Sequence, residues 1–446
     1  MKFSSPSRVL RFGVGLSVTV AGILAAQTPT RLPARADDAS NAELKFVVII
    51  SRHGVRSPTG KTEQLNRYSK LPWPTWNVPP GYLTEHGARL MTFFGAYDRE
   101  KLATQGLLST GGCGDAGRIK IIADSDQRTR ETGKALATGL APGCALQVQS
   151  LSEGTPDPLF HALEAGVGVM DKKLAVAAIS GRIGGDPQNL AEAYRPQLEA
   201  LESVLLGCDG VDCGKEMSQS PESLFDIPSS LTPGEGKHLM ELHSPLGAAA
   251  TMAENLLLEY TEGIDMANVG WGRVDLNKLR GLLQLHTASE DISGRTDYIA
   301  RAQSSNLLFH LLASMVQSTK DTMVPGSLTK PSDRLLIFVG HDTNLANISG
   351  ALHLSWLIDG RMNDTPPGAA LVFEMWKQRG DASYYVRTYF TSQTLDQMRN
   401  ATPLSLVHPP ESVPVFIPDC GRADGSCEWE AFQQAIHRGI DSAFVR

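Results

Sequence analysis

Three β-branched apolar runs, far apart in the chain, each stop at a knot of charged residues. "ELKFVVII" leads into Arg52, His53 and Arg56, "RIKIIAD" into Asp124 and then Arg128, and "DRLLIFVG" into His341 and Asp342. An apolar run without alternation is the pattern of a strand buried on both faces, as in a parallel sheet covered by helices. Helical patterns follow these runs. "TEHGARLMTFFGAYDREKLATQG" can place Leu90, Phe93, Phe94 and Tyr97 on one face, and "SDQRTRETGKALATGLAPGC" opens on capping residues and stops at a Pro-Gly pair. "DRLLIFVGHDTNLANISGALHL" repeats the strand-turn-helix layout, and "AALVFEMW" and "YYVRTYF" add strands. The expected fold is α/β: a doubly wound, mostly parallel sheet with helices on both faces.

Residues 163–295 read differently. "NLAEAYRPQLEALESVLLG" and "GAAATMAENLLLEYTEG" are helical, with loop signals between them. They predict a mainly α-helical domain inserted into a discontinuous α/β domain of residues 37–162 and 296–446. A chain of 446 residues has room for both. Residues 1–36 form a separate expectation. A basic, acid-free start, the apolar stretch Phe12 to Ala26 and small residues at Ala34 and Ala36 have the layout of a signal peptide cut near Ala36. Periplasmic or secreted location follows, with no membrane association after cleavage. The six cysteines suit an oxidising compartment and permit 15 pairings. Cys208 with Cys213, and Cys420 with Cys427, have the spacing of loop clips, which leaves Cys113 and Cys144. Zinc is disfavoured, since no second Cys or His pair stands at ribbon or finger spacing.

Removing the leader's five basic residues takes the formal charge from −7 to −12, which argues against nucleic acid as a partner. Against that acidic background, "RHGVRSPTGKTEQLNRYSK" is locally basic and suggests a site for a small anion. In open parallel sheets ligands bind at the carboxyl ends of the strands, so the three knots can converge there. Arginine forks match phosphate oxygens. Two histidines and an aspartate offer a nucleophile, an anion donor and a general acid. The chemistry this set implies is phosphoryl transfer, with arginines in place of a metal. Each knot also has a plainer reading: a basic loop, a helix-start salt bridge between Asp124 and Arg128, and an N-cap at Asp342 or Thr343. "GCGDAG" precedes a strand instead of following one, which excludes a dinucleotide loop. The other histidines, His161 among them, lack strand-end context and read as surface or interior residues. His286 is left open, near the junction of insertion and α/β domain.

"RHGVRSPT" with the distant "GHDTNLANISGAL" resembles the histidine acid phosphatases, the acid branch of the histidine phosphatase superfamily. "WPTWNVPPGYLTEHG", "DPLF", "GWGR", "NDTPPGAALVFEMW" and "TPLSL" are similar to the periplasmic bacterial acid phytases within it. That resemblance implies His53 as the nucleophile that forms a phosphohistidine and Asp342 as the proton donor to the leaving oxygen. Arg52, Arg56, Arg128 and His341 would bind phosphate, Thr59 would line the pocket mouth and Asp124 would orient the cluster. Ser57, Lys61 and Glu254 are further substrate-side candidates. Gly60 is an extra residue before Lys61, and the spacing of Glu254 to Met252 differs by one from the family's. The three cysteine pairs also match the group's pattern, and the helical insertion would roof the pocket.

The expected protein is therefore an exported, monomeric acid phosphomonoesterase acting on a small phosphate ester, without cofactor or metal, and a phytase in substrate. A glucose-1-phosphatase or broad sugar phosphatase of the same family is the alternative, with "HDTN" favouring phytase over the "HDSN" of sugar phosphatases. A phosphate-ester binding protein without catalysis would need neither His53 nor Asp342.

Overall fold

The computed structural model describes residues 41–60, 62–207 and 221–446. The leader, Lys61 and the Cys208/Cys213 pair lie outside the described residues. Among the described residues the central sheet has eight strands: β1 (Ala42–Arg52), β2 (Ile119–Ala123), β3 (Val148–Gln149), β4 (Leu335–Gly340), β5 (Ala370–Gln378), β6 (Tyr384–Ser392), β7 (Glu411–Pro414) and β8 (Ser426–Glu428). Their spatial order is β7-β6-β5-β1-β4-β2-β3, with β8 also on β6. The strands β1, β4, β2 and β3 are parallel, and β5 to β8 extend the sheet antiparallel from the other edge of β1.

The three apolar runs are the three neighbouring strands β1, β4 and β2. Their ends are level: Arg52 pairs with Gly340, and Ala123 with Val339. Along β1 the side chains alternate between two cores. Phe46, Val48 and Ile50 face one, and Val47 and Ile49 the other. Both sides are covered, which is why the run shows no polar alternation.

The first of the longer helices, α1 (Glu85–Thr104) and α2 (Gln127–Leu140), cover one face through Met91, Phe94, Leu136 and Leu140. They cross closely because glycines meet at the contact: a Cβ on Gly139 would stand 2.0 Å from the Thr92 carbonyl oxygen, and one on Gly95 2.2 Å from that of Leu136. The helices α3 (Lys172–Arg182), α4 (Arg195–Leu206), α5 (Pro245–Thr261) and α6 (Leu276–Gly294) share a core of their own that includes Leu198, Leu201, Leu256 and Leu283. The helices α7 (Asp297–Gln317), α8 (Asp342–Ala351) and α9 (Trp429–Gly439) cover the other face of the sheet. Sheet and helical region together form one compact unit, Asn41–Arg446.

Two disulfides are formed among the described residues, Cys113–Cys144 and Cys420–Cys427. No described helix is long and apolar enough to cross a membrane.

Candidate active site

The level ends of β1, β4 and β2 bring the three knots together. Arg52 is the last residue of β1 and its side chain is fully buried. Its Nη1 donates to the Thr365 carbonyl at 2.6 Å, and its Nη2 pairs with Asp342 Oδ2 at 2.7 Å and with Glu254 Oε1. Arg56 Nη2 reaches the same Glu254 oxygen at 3.0 Å, while its Nη1 donates to the Ser57 carbonyl. Arg128, in the first turn of α2, pairs with Asp126 at 2.6 Å and lies 3.3 Å from Nδ1 of His341. The Nε atoms of Arg52, Arg56 and Arg128 are buried without a partner among the described residues. Buried guanidinium donors require acceptors, and a tetrahedral oxyanion supplies several at once.

His53 stands between these arginines, 1 % exposed. Its Nδ1 donates to the Gly54 carbonyl at 2.9 Å, so Nε2 carries the lone pair. Burial, then Arg52, Arg56 and Arg128, push its pKa well below the usual imidazole value. The ring therefore stays neutral into the acid range, with its lone pair on Nε2.

His341 is the N-cap residue of α8, with its backbone N–H held by Asn344 Oδ1 at 2.9 Å. Its Nε2 donates to Asp124 Oδ2 at 2.7 Å, and His161 Nε2 donates to the same oxygen at 3.1 Å. Burial opposes the charge on Asp124, but the bonds from His161 and His341 hold it ionised far below the usual range. Asp342 is likewise held ionised: burial opposes its charge, and Arg52 foremost outweighs the burial. The same balance keeps Glu254 ionised, through Arg56 and Arg52. Glu290 is the exception. Burial and the nearby Asp342 push it up to about 7.

The expected site residues thus fall in distinct places. Arg52, His53, Arg56, Asp124, Arg128, Glu254, His341 and Asp342 form one cluster. Ser57 is buried and donates to the Pro79 carbonyl at 2.6 Å, which holds the loop. Thr59 is exposed, and Gly81 (φ +78°) lies next to both it and Arg128. A Cβ on Gly81 would lie 3.3 Å from Thr59 Cγ2 and 3.6 Å from Arg128 Nη1. The helix-start salt bridge between Asp124 and Arg128 does not form, because Asp124 is turned to the two imidazoles and Arg128 takes Asp126. The residue capping α8 is His341, not Asp342 or Thr343. His161 is neither a surface nor an isolated interior histidine, and its one signal in sequence was its place directly after "DPLF". His286 joins Glu254 and Asp342 in one group.

Among the described residues, two clusters have ligand types for a metal: Asp124, Asp126, His161 and His341, and Glu254, His286 and Asp342. Neither suits one. A metal on His341 Nε2 would force a proton onto Nδ1, which faces Arg128 Nη2. In the second cluster both carboxylates are already claimed by Arg52.

A family model described as histidine phosphatase superfamily (branch 2) matches residues 43–391. Phytase AppA of Escherichia coli (strain K12) is 37% identical over 406 residues, covering 89% of this chain and 93% of that protein. A glucose-1-phosphatase of Providencia rettgeri is 28% identical over 429 residues, covering 94% and 97%. Among solved structures, the Hafnia alvei phytase in complex with tartrate superimposes with a TM-score of 0.82 at 35% identity, covering 91% of this chain and 99% of that one. The same phytase in complex with myo-inositol hexakis sulphate gives 0.80 over the same shares of the two chains.

Proposed function

The chain belongs to branch 2 of the histidine phosphatase superfamily, and from that premise we propose that it hydrolyses phosphate monoesters, phytate foremost, through a phosphohistidine at His53. The observation that carries this reading is the Nε2 lone pair of a buried, neutral His53 among three arginines whose Nε donors lack acceptors among the described residues.

The steps follow from the positions. The transferring phosphoryl group sits on Arg52, Arg56, Arg128 and His341, which take up the charge of its equatorial oxygens. His53 Nε2 forms a bond to phosphorus as the bond to the ester oxygen breaks, and Asp342 gives that oxygen its proton. Water then attacks phosphorus, the P–N bond breaks, and Asp342 takes the water's proton.

Asp342 is ionised in the free site because Arg52 holds it. A phosphate dianion competing for Arg52 removes that hold and adds a second negative charge, which raises the proton affinity of Asp342. An acidic working range follows. Thr59 belongs to the rim in this reading, and the described part of residues 163–295 forms the roof. Export fits the N-terminal segment; N-terminal sequencing of the mature protein tests cleavage after Ala36, and light scattering tests the monomer.

A glucose-1-phosphatase is the second reading, favoured by the relative from Providencia rettgeri. Purified protein turning over phytate and glucose 1-phosphate side by side decides between them. Negligible phytate turnover overturns the phytase reading, and no hydrolysis of either, nor of p-nitrophenyl phosphate, overturns the phosphatase.

A further inference from the structure

Two histidines at the cluster, His161 and His286, have no part in the steps above. His161 is delivered by a tight turn: the Asp157 carbonyl accepts its N–H at 2.7 Å, and Asp157 Oδ1 accepts that of Leu159 at 2.8 Å. The turn is pinned from two helices. Asn306 of α7 donates to the Pro158 carbonyl and Asn344 of α8 to the Phe160 carbonyl, both at 2.9 Å. The same Asn344 holds the His341 backbone, so a single side chain fixes both imidazole segments. The rings lie 5.2 Å apart between centroids. They donate to one oxygen, Asp124 Oδ2, while Oδ1 has no partner among the described residues.

We propose that His161 is a positioning residue that sets the pH range over which His341 serves as an oxyanion donor, acting through the single Asp124 oxygen that both rings share. The proposal rests on the phosphatase reading of the site. To donate to an oxyanion through Nδ1 while keeping Nε2–H on Asp124, His341 must hold two protons. Asp124 favours the second proton; burial, Arg128 and a charged His161 oppose it.

His161 faces Asp124 at the end of β2, Asp126 at the start of α2, His341 on α8, and Asp157 and Glu164 on its own segment. Burial opposes its proton, but Asp124, Glu164 and Asp126 outweigh burial, so it charges before His341 as pH falls. The carboxylate's charge is thereby taken up by His161 first. His341 acquires its second proton only further into acid, with an anion to receive it.

The probe is sulfate, whose charge is constant from about pH 4 to pH 8, titrated calorimetrically into wild type and His161→Asn. The amide keeps a donor for Asp124 but cannot become charged. The expected result is that the pH midpoint of sulfate affinity moves upward by about one unit in the variant, and that His161→Gln reproduces the shift. Midpoints coincident with wild type in both variants would overturn the proposal. Should the variants not fold, imidazole NMR of the wild-type protein decides it: His161 is expected to titrate above His341, and the reverse order overturns the proposal. Neither readout depends on turnover, so failure of the phosphatase reading appears separately, as sulfate binding without ester hydrolysis.

Discussion

His53 Nδ1 donates to the carbonyl of Gly54, the next residue in the chain, at 2.9 Å. That one bond fixes the tautomer and leaves the lone pair on Nε2, the atom that attacks phosphorus in the proposed mechanism. Replacing His53 by Ala is therefore expected to lower turnover of any phosphate ester by ~10⁴-fold or more. Acid-quenched wild type incubated with labelled substrate should carry label, and His53→Ala none. Full activity in the variant would remove the phosphohistidine from the mechanism.

Asp342 is expected to matter in proportion to how badly the leaving group needs a proton. In Asp342→Asn, hydrolysis of an alkyl ester such as phytate should fall about 10²–10⁴-fold. p-Nitrophenyl phosphate, whose leaving group departs readily as an anion, should lose much less in its phosphorylation step. Stopped-flow release of p-nitrophenol separates that step from dephosphorylation. Equal losses for both esters in that step would assign the proton to another group.

Glu254 Oε1 bridges Nη2 of Arg52 and Nη2 of Arg56, two donors that a phosphate also needs. The carboxylate and the ligand compete for them. Glu254→Gln is expected to bind inorganic phosphate several-fold more tightly, measured as product inhibition. The ligand-free variant should melt earlier, because two buried guanidiniums lose a counter-charge. Weaker phosphate inhibition would mean that Glu254 serves to aim the arginines.

Two buried carboxyls away from the site set a pH dependence of stability. Asp98 and Glu259 are pushed up to about 7 by burial. A folded-state pKa above the unfolded value means that the folded protein binds the extra protons between about pH 4 and pH 7. Their contribution is fully present below the unfolded values and is lost as pH rises through about 7. Thermal denaturation should show the melting temperature falling between pH 5 and pH 8. Asp98→Asn should flatten that fall and raise the melting temperature at pH 8 by roughly 3 °C. An unchanged slope would place the dependence elsewhere.

What could be read in the sequence follows from what periodicity reports. Strands β1, β4 and β2 were legible because burial on both faces leaves an unbroken apolar run, and the knots at their ends follow from the parallel sheet's geometry. The antiparallel sense of β5 and β6 was not legible, since burial pattern carries no direction. His161 escaped notice because its tie to Asp124 spans 37 residues and is created by a loop returning under α8. Asp126 was hidden by a register alternative. Asp124 and Asp126 both lie near Arg128, and the choice depends on which carboxylate the histidines claim. Glu254 gave a faint signal, an acid within the apolar "GAAATMAENLLLEY" of α5.

The strand that stands between β1 and β2 is made last of the three, at residues 335–340. A growing chain therefore has Arg52, His53 and Asp124 long before it has the wedge that sets them at one level. Until residues 335–340 have been synthesised, β1 and β2 lack the neighbour that both pair with. Such long-range pairing makes assembly late and slow. A ribosome-bound or released fragment that ends before residue 341 lacks His341 and Asp342 as well as β4, and on the proposed mechanism it cannot hydrolyse the phosphate esters of the cell that makes it.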